Sequence, residues 1–515
     1  MDTGSKELGY ERLGAKKLSL IDVVAQSVGF MGPVFSAAFL IPLIAGLGAA
    51  GKGAGIATPF AVLLSAVGVF ALGWIVATYA RRVHAAGSLY DYVSQGLGDT
   101  VGAVTGWVYY GGTTVLASAI AVLIGGLTHD ILLGEYNVEP LQGWMWSLIY
   151  VVAIFLIMYL GVRISTRVQL TLALVSAAVV LGFFVYVIFK VGGDNSLKAL
   201  NPGEAADGWS GIFFGVLYGV LIFVGFETAA NLAEETAEPK RSIPRAILLS
   251  VVIVTAFYLI ASYAQVAGFG FDLGNILGPA AAAPLFALGS PASAGGYGST
   301  FMVRLLEIVV LLDIAAVGLG AAVASTRGVF ALARDRRIPG ALAVVSKSRG
   351  TPAGSILFVS LWSLAMVFVA ERTTVFALEG QPEYFALFAW LSTFGGFALV
   401  IVYAAMSLGA FREVGEVDGK AGLVIAAILG LAISVGAIFG AVYKVPAPTD
   451  LTVWYVLGWL VLGVVVVLLV KGREPASRVL GDLRSGEGTP SMSGGPMTGG
   501  TVSGAEGGMP GGVAG

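Results

Sequence analysis

Cysteine is absent from the 515 residues, and histidine occurs only twice. The first absence removes structural disulfides, thiolate metal sites and thiol chemistry together. The second leaves too few imidazoles for an ordinary catalytic cluster, so an integral membrane enzyme is disfavoured. Charge is also scarce. Asp, Glu, Lys and Arg make up 12 % of the chain, against about a quarter in a soluble domain. A net charge of −2 gives no basic footprint for nucleic acid.

What is there is apolar. Hydrophobic residues are 57 % of the chain and the mean hydropathy is +0.88. They fall in long runs: Leu451–Val470 is one run without a charge, and Val168–Phe189, Gly211–Gly225 and Ile247–Gly268 are similar. A bilayer core of ~30 Å takes about 20 such residues per helix. Within it every backbone amide must be satisfied inside its own segment, which favours helices. The pattern predicts twelve spans near 19–48, 56–79, 99–128, 142–161, 167–189, 209–233, 246–268, 301–329, 355–370, 384–410, 421–443 and 451–470. With both termini in the cytoplasm, 23 of the 29 Lys and Arg residues fall on the inner side. The positive-inside rule requires such a bias, and a missed or extra span would spoil it. The polar stretch Met1–Lys17 and the long first apolar run are not those of a cleaved signal. Ser485–Gly515, rich in Gly, Ser, Pro and Thr, is expected to be disordered.

Two spans carry breaks. The first reads SVGFMGPVFSAAFLIP from Ser27 to Pro42, with Gly29, Gly32 and Pro33 near its middle. Proline removes an amide donor and clashes with the preceding turn. The sixth reads YGVLIFVGFETAAN from Tyr218 to Asn231, with Gly219 and Gly225 flanking its middle and Glu227 just after. Such glycines also suit close helix packing. Their pairing at corresponding positions of two inverted five-helix repeats, however, points to a substrate site at mid-membrane. Half-helix N-termini would offer amides to a carboxylate, and C-termini would offer carbonyls to an ammonium. An amino acid carries both groups.

Three stretches resemble the amino acid–polyamine–organocation (APC) permeases. GFETAANLAEETAEPKRSIPRAI (Gly225–Ile247) is similar to the family's sixth helix and the loop after it. AVASTRGVFALARDRRIPGAL (Ala322–Leu342) is similar to the motif ending the eighth helix. ARRVHAAGSLYDYVSQGLGDTVGAVTGW (Ala80–Trp107) is similar to the entry to the third. The resemblance implies an all-α, LeuT-like fold with two inverted five-helix repeats, two accessory helices and alternating access. The implied organisation is a cytoplasmic N-terminal segment 1–17, a transporter domain 18–471, and a cytoplasmic tail 472–515. Within the domain the repeats would cover about 18–190 and 209–410, and the accessory helices 421–443 and 451–470. By the same resemblance Phe30, Met31, Gly32 and Val34 would line the carboxylate side of the site. Phe223, Val224 and Gly225 would face the amine, with Tyr109 nearby. Pro33 stands where relatives have a small residue with a free amide. Ser176 stands where some relatives place a lysine that substitutes for sodium.

Ionisable residues inside a membrane are costly and mark function. Asp313 lies 14 residues before Arg327, or ~21 Å along a helix, which puts it near the midplane. Glu227 lies nearer the cytoplasm. Either is a candidate to bind a coupling proton, a cation or the substrate's amine, and equally could cap a freed backbone amide. Arg304 and Glu307 are spaced to form a surface pair. The basic run Arg334–Arg337 is placed to pair with Glu234, Glu235 and Glu238 at an inner gate. Gly46–Gly53 nearly matches a phosphate-binding loop, but Gly53 replaces its Ser/Thr, which argues against nucleotide. His84 and His129 lack partners at metal-ligand spacing. The sequence therefore predicts a secondary carrier of amino acids in the cytoplasmic membrane, without a cofactor and coupled to H⁺ or Na⁺. Polyamines, other amines and inorganic cations are alternative cargoes, and exchange is an alternative mode. No repeated filter segment suggests an ion channel.

Overall fold

The structure, a computed structural model, describes residues 18–47, 49, 51–82, 89–278, 283–370, 372, 375–376, 381–416 and 419–470. The expected N-terminal segment, the expected tail and His84 lie outside the described residues.

The first span is divided. Helix α1 (Leu20–Met31) starts at a capping box, in which Ser19 accepts from the Asp22 N–H and the Asp22 carboxylate accepts from the Ser19 N–H. It ends at Gly32, in the left-handed conformation with φ 52°. The second half, the outer half in the expected orientation, resumes as Pro33–Phe35, widens to a π-helical turn over Ser36–Leu40 and closes with Ile41–Ala45. Then follow α2 (Thr58–Ala80), a short helix Leu89–Leu97, α3 (Asp99–Tyr136), α4 (Gly143–Leu160) and α5 (Val162–Val191). The sixth span begins as α6 (Gly208–Leu221), tightens into turns whose N–H groups reach back three residues, and passes at Gly225 into a 3₁₀ stretch, Phe226–Glu235. The chain continues through α7 (Pro239–Gly268), α8 (Thr300–Arg334), α9 (Ala353–Ala370), α10 (Glu383–Arg412), α11 (Lys420–Val442) and α12 (Leu451–Leu469).

Among the described residues, eleven helices are long and apolar enough to cross a membrane, and α9 is a shorter apolar helix. These match the twelve expected spans.

Burial sorts the spans into a core and a shell. The apolar window of the first span is 100 % buried and that of α10 94 %, against 22 % for α4 and α12. The two broken spans, with α3, α8 and α10, therefore form the centre, and α4, α5 and α12 present apolar faces outward. Large exposed residues such as Phe189, Trp454 and Leu469 would be costly in water and cost little against lipid. Helix α3 packs along α10 and α8, and α2 along α7. At the N-terminal end of α1 Leu18 forms a bridge with Thr236, just after the 3₁₀ stretch, through an Ala237 N–H to Leu18 O bond of 3.1 Å. The two broken spans are thus tied together at one end as well as at the middle. Helix α12 is held to α3 by Trp107 and Trp459. Their rings stack 4.6 Å apart, and each indole N–H donates to the other's main-chain carbonyl, at 3.1 and 3.4 Å.

Candidate substrate site

The two breaks meet. Gly225 has φ 119°, a conformation that L side chains rarely adopt. A Cβ placed on it would lie 2.9 Å from Phe30 Cβ and 3.0 Å from the Met31 nitrogen, so the sixth span's backbone rests directly on the end of α1. Gly32 is equally close to α8, where a Cβ would fall 1.9 Å from Val317 Cγ2. Pro33 opens the outer half-helix at its first position, where the missing N–H has no helical partner to lose and the fixed φ suits the start.

Two expected break residues are not at the breaks. Gly29 lies inside α1, which continues to Met31. Gly219 lies inside α6, two residues before its end. Its role is close packing, since a Cβ there would come within 2.1 Å of Ser65 Oγ on α2.

The groups freed by the breaks are met by side chains from the surrounding helices. The Phe35 N–H, at the start of the outer half-helix, donates to Asp313 Oδ2 of α8 at 2.7 Å. The Gly225 N–H donates to Glu227 Oε2 at 3.1 Å. Glu227 Oε1 accepts from two hydroxyls, Tyr109 of α3 at 2.8 Å and Tyr403 of α10 at 2.9 Å. The Tyr258 hydroxyl of α7 lies 3.0 Å from Met31 O and 2.6 Å from Ile222 O, so its one proton is shared between the C-terminal carbonyls of both half-helices. Ser36 Oγ donates to Met31 O at 3.0 Å, and Ser27 Oγ donates to Phe226 O at 3.1 Å. Asp313 and Glu227 have no solvent-exposed surface. Buried carboxylates persist where donors meet them, and these donors are the backbone amides and tyrosines of the breaks.

Beside this network lies a cavity of about 30 Å³, room for two waters. Phe30, Met31, Ser36, Leu221, Val224 and Val317 are among its walls, with Leu116, Ile120 and Ser392 beyond. Of the residues expected at the site, Phe30, Met31 and Val224 line this cavity. Gly32 and Gly225 are the positive-φ residues at the two breaks, and Val34 is fully buried in the outer half-helix. Phe223 packs edge-on against Tyr258 at 5.2 Å. Tyr109 turns its hydroxyl to Glu227. Along the second half of the first span Phe35, Phe39, Phe385 and Phe388 pack against one another at centroid distances of 5.7–6.4 Å. Above them opens a second cavity of about 380 Å³ walled by Asp130, Glu135, Glu307, Gln381, Tyr384 and Phe385.

Tyr258 and Tyr403 are the polar residues that the sequence reading missed. Their signal was a tyrosine hydroxyl within an apolar helix, which needs a partner when buried. Ser176 is buried on α5 and donates to Val309 O of α8 at 2.9 Å. Arg304 forms its ion pair with Glu135 of α3, at 3.6 Å, while Glu307 is buried. The expected pairing along one turn of α8 gives way to one between helices, because α3 presents its acid beside the N-terminal end of α8. His129 lies between Asp130 Oδ1 and Glu139 Oε1 at 3.1 and 3.3 Å. The side chains of Glu234 and Glu235, proposed for the inner gate, lie outside the described residues. Arg334 lies 3.7 Å from Asp335.

The profile of the family described as "Amino acid permease" matches residues 27–474. The chain belongs to this family. The permease is 25 % identical to the branched-chain amino acid permease BcaP of Bacillus subtilis, over 70 % of this chain and 74 % of that one. It is 28 % identical to the low-affinity putrescine importer PlaP of Escherichia coli, over 68 % and 74 %. It is 24 % identical to the methylthioribose transporter of B. subtilis, over 61 % and 70 %. Among solved structures, a mutant of the Eremococcus coleocola manganese transporter superposes with a TM-score of 0.52 at 13 % identity, covering 92 % of the permease and 98 % of that chain. The permease therefore has the LeuT-like fold of APC transporters. It is a multi-pass membrane transporter and not an enzyme.

Proposed function

We propose that this permease is a secondary active carrier that moves small amino compounds across the cytoplasmic membrane by alternating access about the two broken spans. The meeting of Gly225 with Phe30 and Met31 carries this reading. Two hinges that touch at mid-depth, beside a small apolar cavity, form a place where one rearrangement can both open and close a site. Amino acids are one substrate class, in line with the family and with the name of BcaP. Amines are the other, favoured by Asp313 on the Phe35 amide and in line with the name of PlaP. Both termini are cytoplasmic in this reading, which rests on the Lys and Arg bias.

Glu227 is the candidate coupling group, bound to Tyr109, Tyr403 and Gly225 and so linked to the sixth-span break. The test is uptake into proteoliposomes of labelled amino acids and amines under separate H⁺ and Na⁺ gradients. Saturable, trans-stimulated uptake is expected. Flux that grows linearly with concentration and shows no trans-stimulation would refute the carrier. Glu227→Gln is expected to abolish gradient-driven uptake in a protein that still purifies folded. Wild-type accumulation by that variant would remove Glu227 from coupling.

A further inference from the structure

We propose that the midplane site selects alkylamines that lack a carboxylate, because the chain itself supplies the carboxylate that an amino acid would bring. This rests on the reading that substrate binds between the two breaks. A helix N-terminus is an anion site, with amides and a partial positive charge turned toward its ligand. In this permease the outer half-helix of the first span already has an anion there: Asp313 Oδ2 lies 2.7 Å from the Phe35 nitrogen. The half-helix is also one donor short, since Pro33 has no N–H. At the sixth-span break, Glu227 Oε2 takes the Gly225 N–H. A zwitterion would have to set its own carboxylate against Asp313 at the same amide, and like charges at hydrogen-bond range repel.

The remaining groups favour a cation. Asp313 Oδ1 is buried and accepts no hydrogen bond of full geometry among the described residues, although the Val34 N–H also acts on the carboxylate. The carbonyls of Met31 and Ile222 share the single proton of Tyr258, and Met31 O also accepts from Ser36 Oγ, so Ile222 O is the one left, among the described residues, without a donor of its own. The cavity walls include no cationic side chain and are mainly aliphatic or aromatic, suited to an alkyl body. The outer vestibule has the same preference. Asp130, Glu135 and Glu307 wall it, and Arg304 is paired with Glu135. A cleft lined by one sign of charge concentrates ligands of the other sign.

The test uses substrate pairs that differ only in the carboxylate: leucine with isopentylamine, and ornithine with putrescine. The full chain is reconstituted, and each labelled compound is taken up by counterflow against its unlabelled form. Each member of a pair is then titrated as competitor. Both amines are expected to inhibit at concentrations at least about tenfold lower than their parent amino acids. Asp313→Asn keeps an acceptor for the Phe35 N–H but loses the charge. Its purified, monodisperse protein is expected to shift the ratio toward the amino acids by about tenfold or more. Either amino acid outcompeting its own amine in the wild type overturns the proposal while leaving the carrier reading intact. An unchanged ratio in Asp313→Asn overturns the role of Asp313. If no member of either pair is transported or competes, the binding-site reading fails, and this proposal with it.

Discussion

Alanine at three glycines separates a helix break from a packing contact. At Gly225 the backbone has φ 119° and ψ −18°, and holding a side-chain-bearing residue in such a region costs ~1–3 kcal/mol. The new methyl would also meet the Met31 nitrogen at 3.0 Å and Phe30 Cβ at 2.9 Å. Backbone cannot swing aside as a side chain can, so overpacking adds ~1–3 kcal/mol, for a total of ~2–6 kcal/mol. At Gly32 the obstacle is Val317 Cγ2 at 1.9 Å, a side chain that Val317→Ala removes. The left-handed backbone at φ 52° still costs ~1–2 kcal/mol, so the double variant recovers only in part. Gly219 is helical, and its obstacles are the Oγ and Cβ of Ser65, both removed by Ser65→Gly. Alanine gains ~0.5–1 kcal/mol over glycine inside a helix, and the new glycine at 65 loses about the same. Gly219→Ala with Ser65→Gly is therefore expected near wild type. The assay is thermal unfolding of the purified full chain in detergent, with counterflow of the reconstituted protein alongside. Gly225→Ala is expected to lose both stability and transport. If Gly225→Ala matches the wild type in both, the claim that the broken spans meet backbone to backbone is wrong.

Two further predictions concern the network and the topology. Tyr403→Phe removes a hydroxyl 2.9 Å from Glu227 with no loss of volume, and is expected to destabilise by ~1.5–3 kcal/mol, as for a hydrogen bond to a charged group. A loss below ~0.5 kcal/mol would show that Glu227 is held by its other partners alone. Because the chain has no cysteine, a single introduced one reports its side of the membrane to an impermeant maleimide in intact cells. Asp194→Cys is expected to label from outside, and Lys240→Cys and Arg349→Cys only after permeabilisation. All three positions are exposed, so the reverse pattern would invert the proposed orientation.

Much of the fold was legible because the bilayer constrains sequence so strongly. A span must be an apolar run of about 20 residues, and twelve such runs can be read directly. Gly225 and the Gly32–Pro33 pair were legible as breaks because each carries a backbone requirement of its own, a positive φ or a missing donor. Gly219 was misassigned because glycine has two uses in a membrane helix, and only the neighbour it touches, Ser65, tells them apart; Gly29 was misassigned because α1 runs two residues past it. Arg304 was misassigned for a related reason: spacing along α8 offered Glu307, while packing brought Glu135 of α3 to it.

The sequence by itself determined that this chain crosses a membrane many times as helices, that two of those helices are broken, and that two carboxylates lie within the bilayer. These follow from hydropathy, glycine and proline, which act along the chain. Only the tertiary structure decided what the breaks do for one another. Asp313 reaches the Phe35 amide across 278 positions of sequence, and Tyr403 reaches Glu227 across 176. Local spacing carries no record of such meetings, because they arise when α8 and α10 pack around the two broken spans. The same packing converts a half-helix that would invite a substrate's carboxylate into one already holding the chain's own.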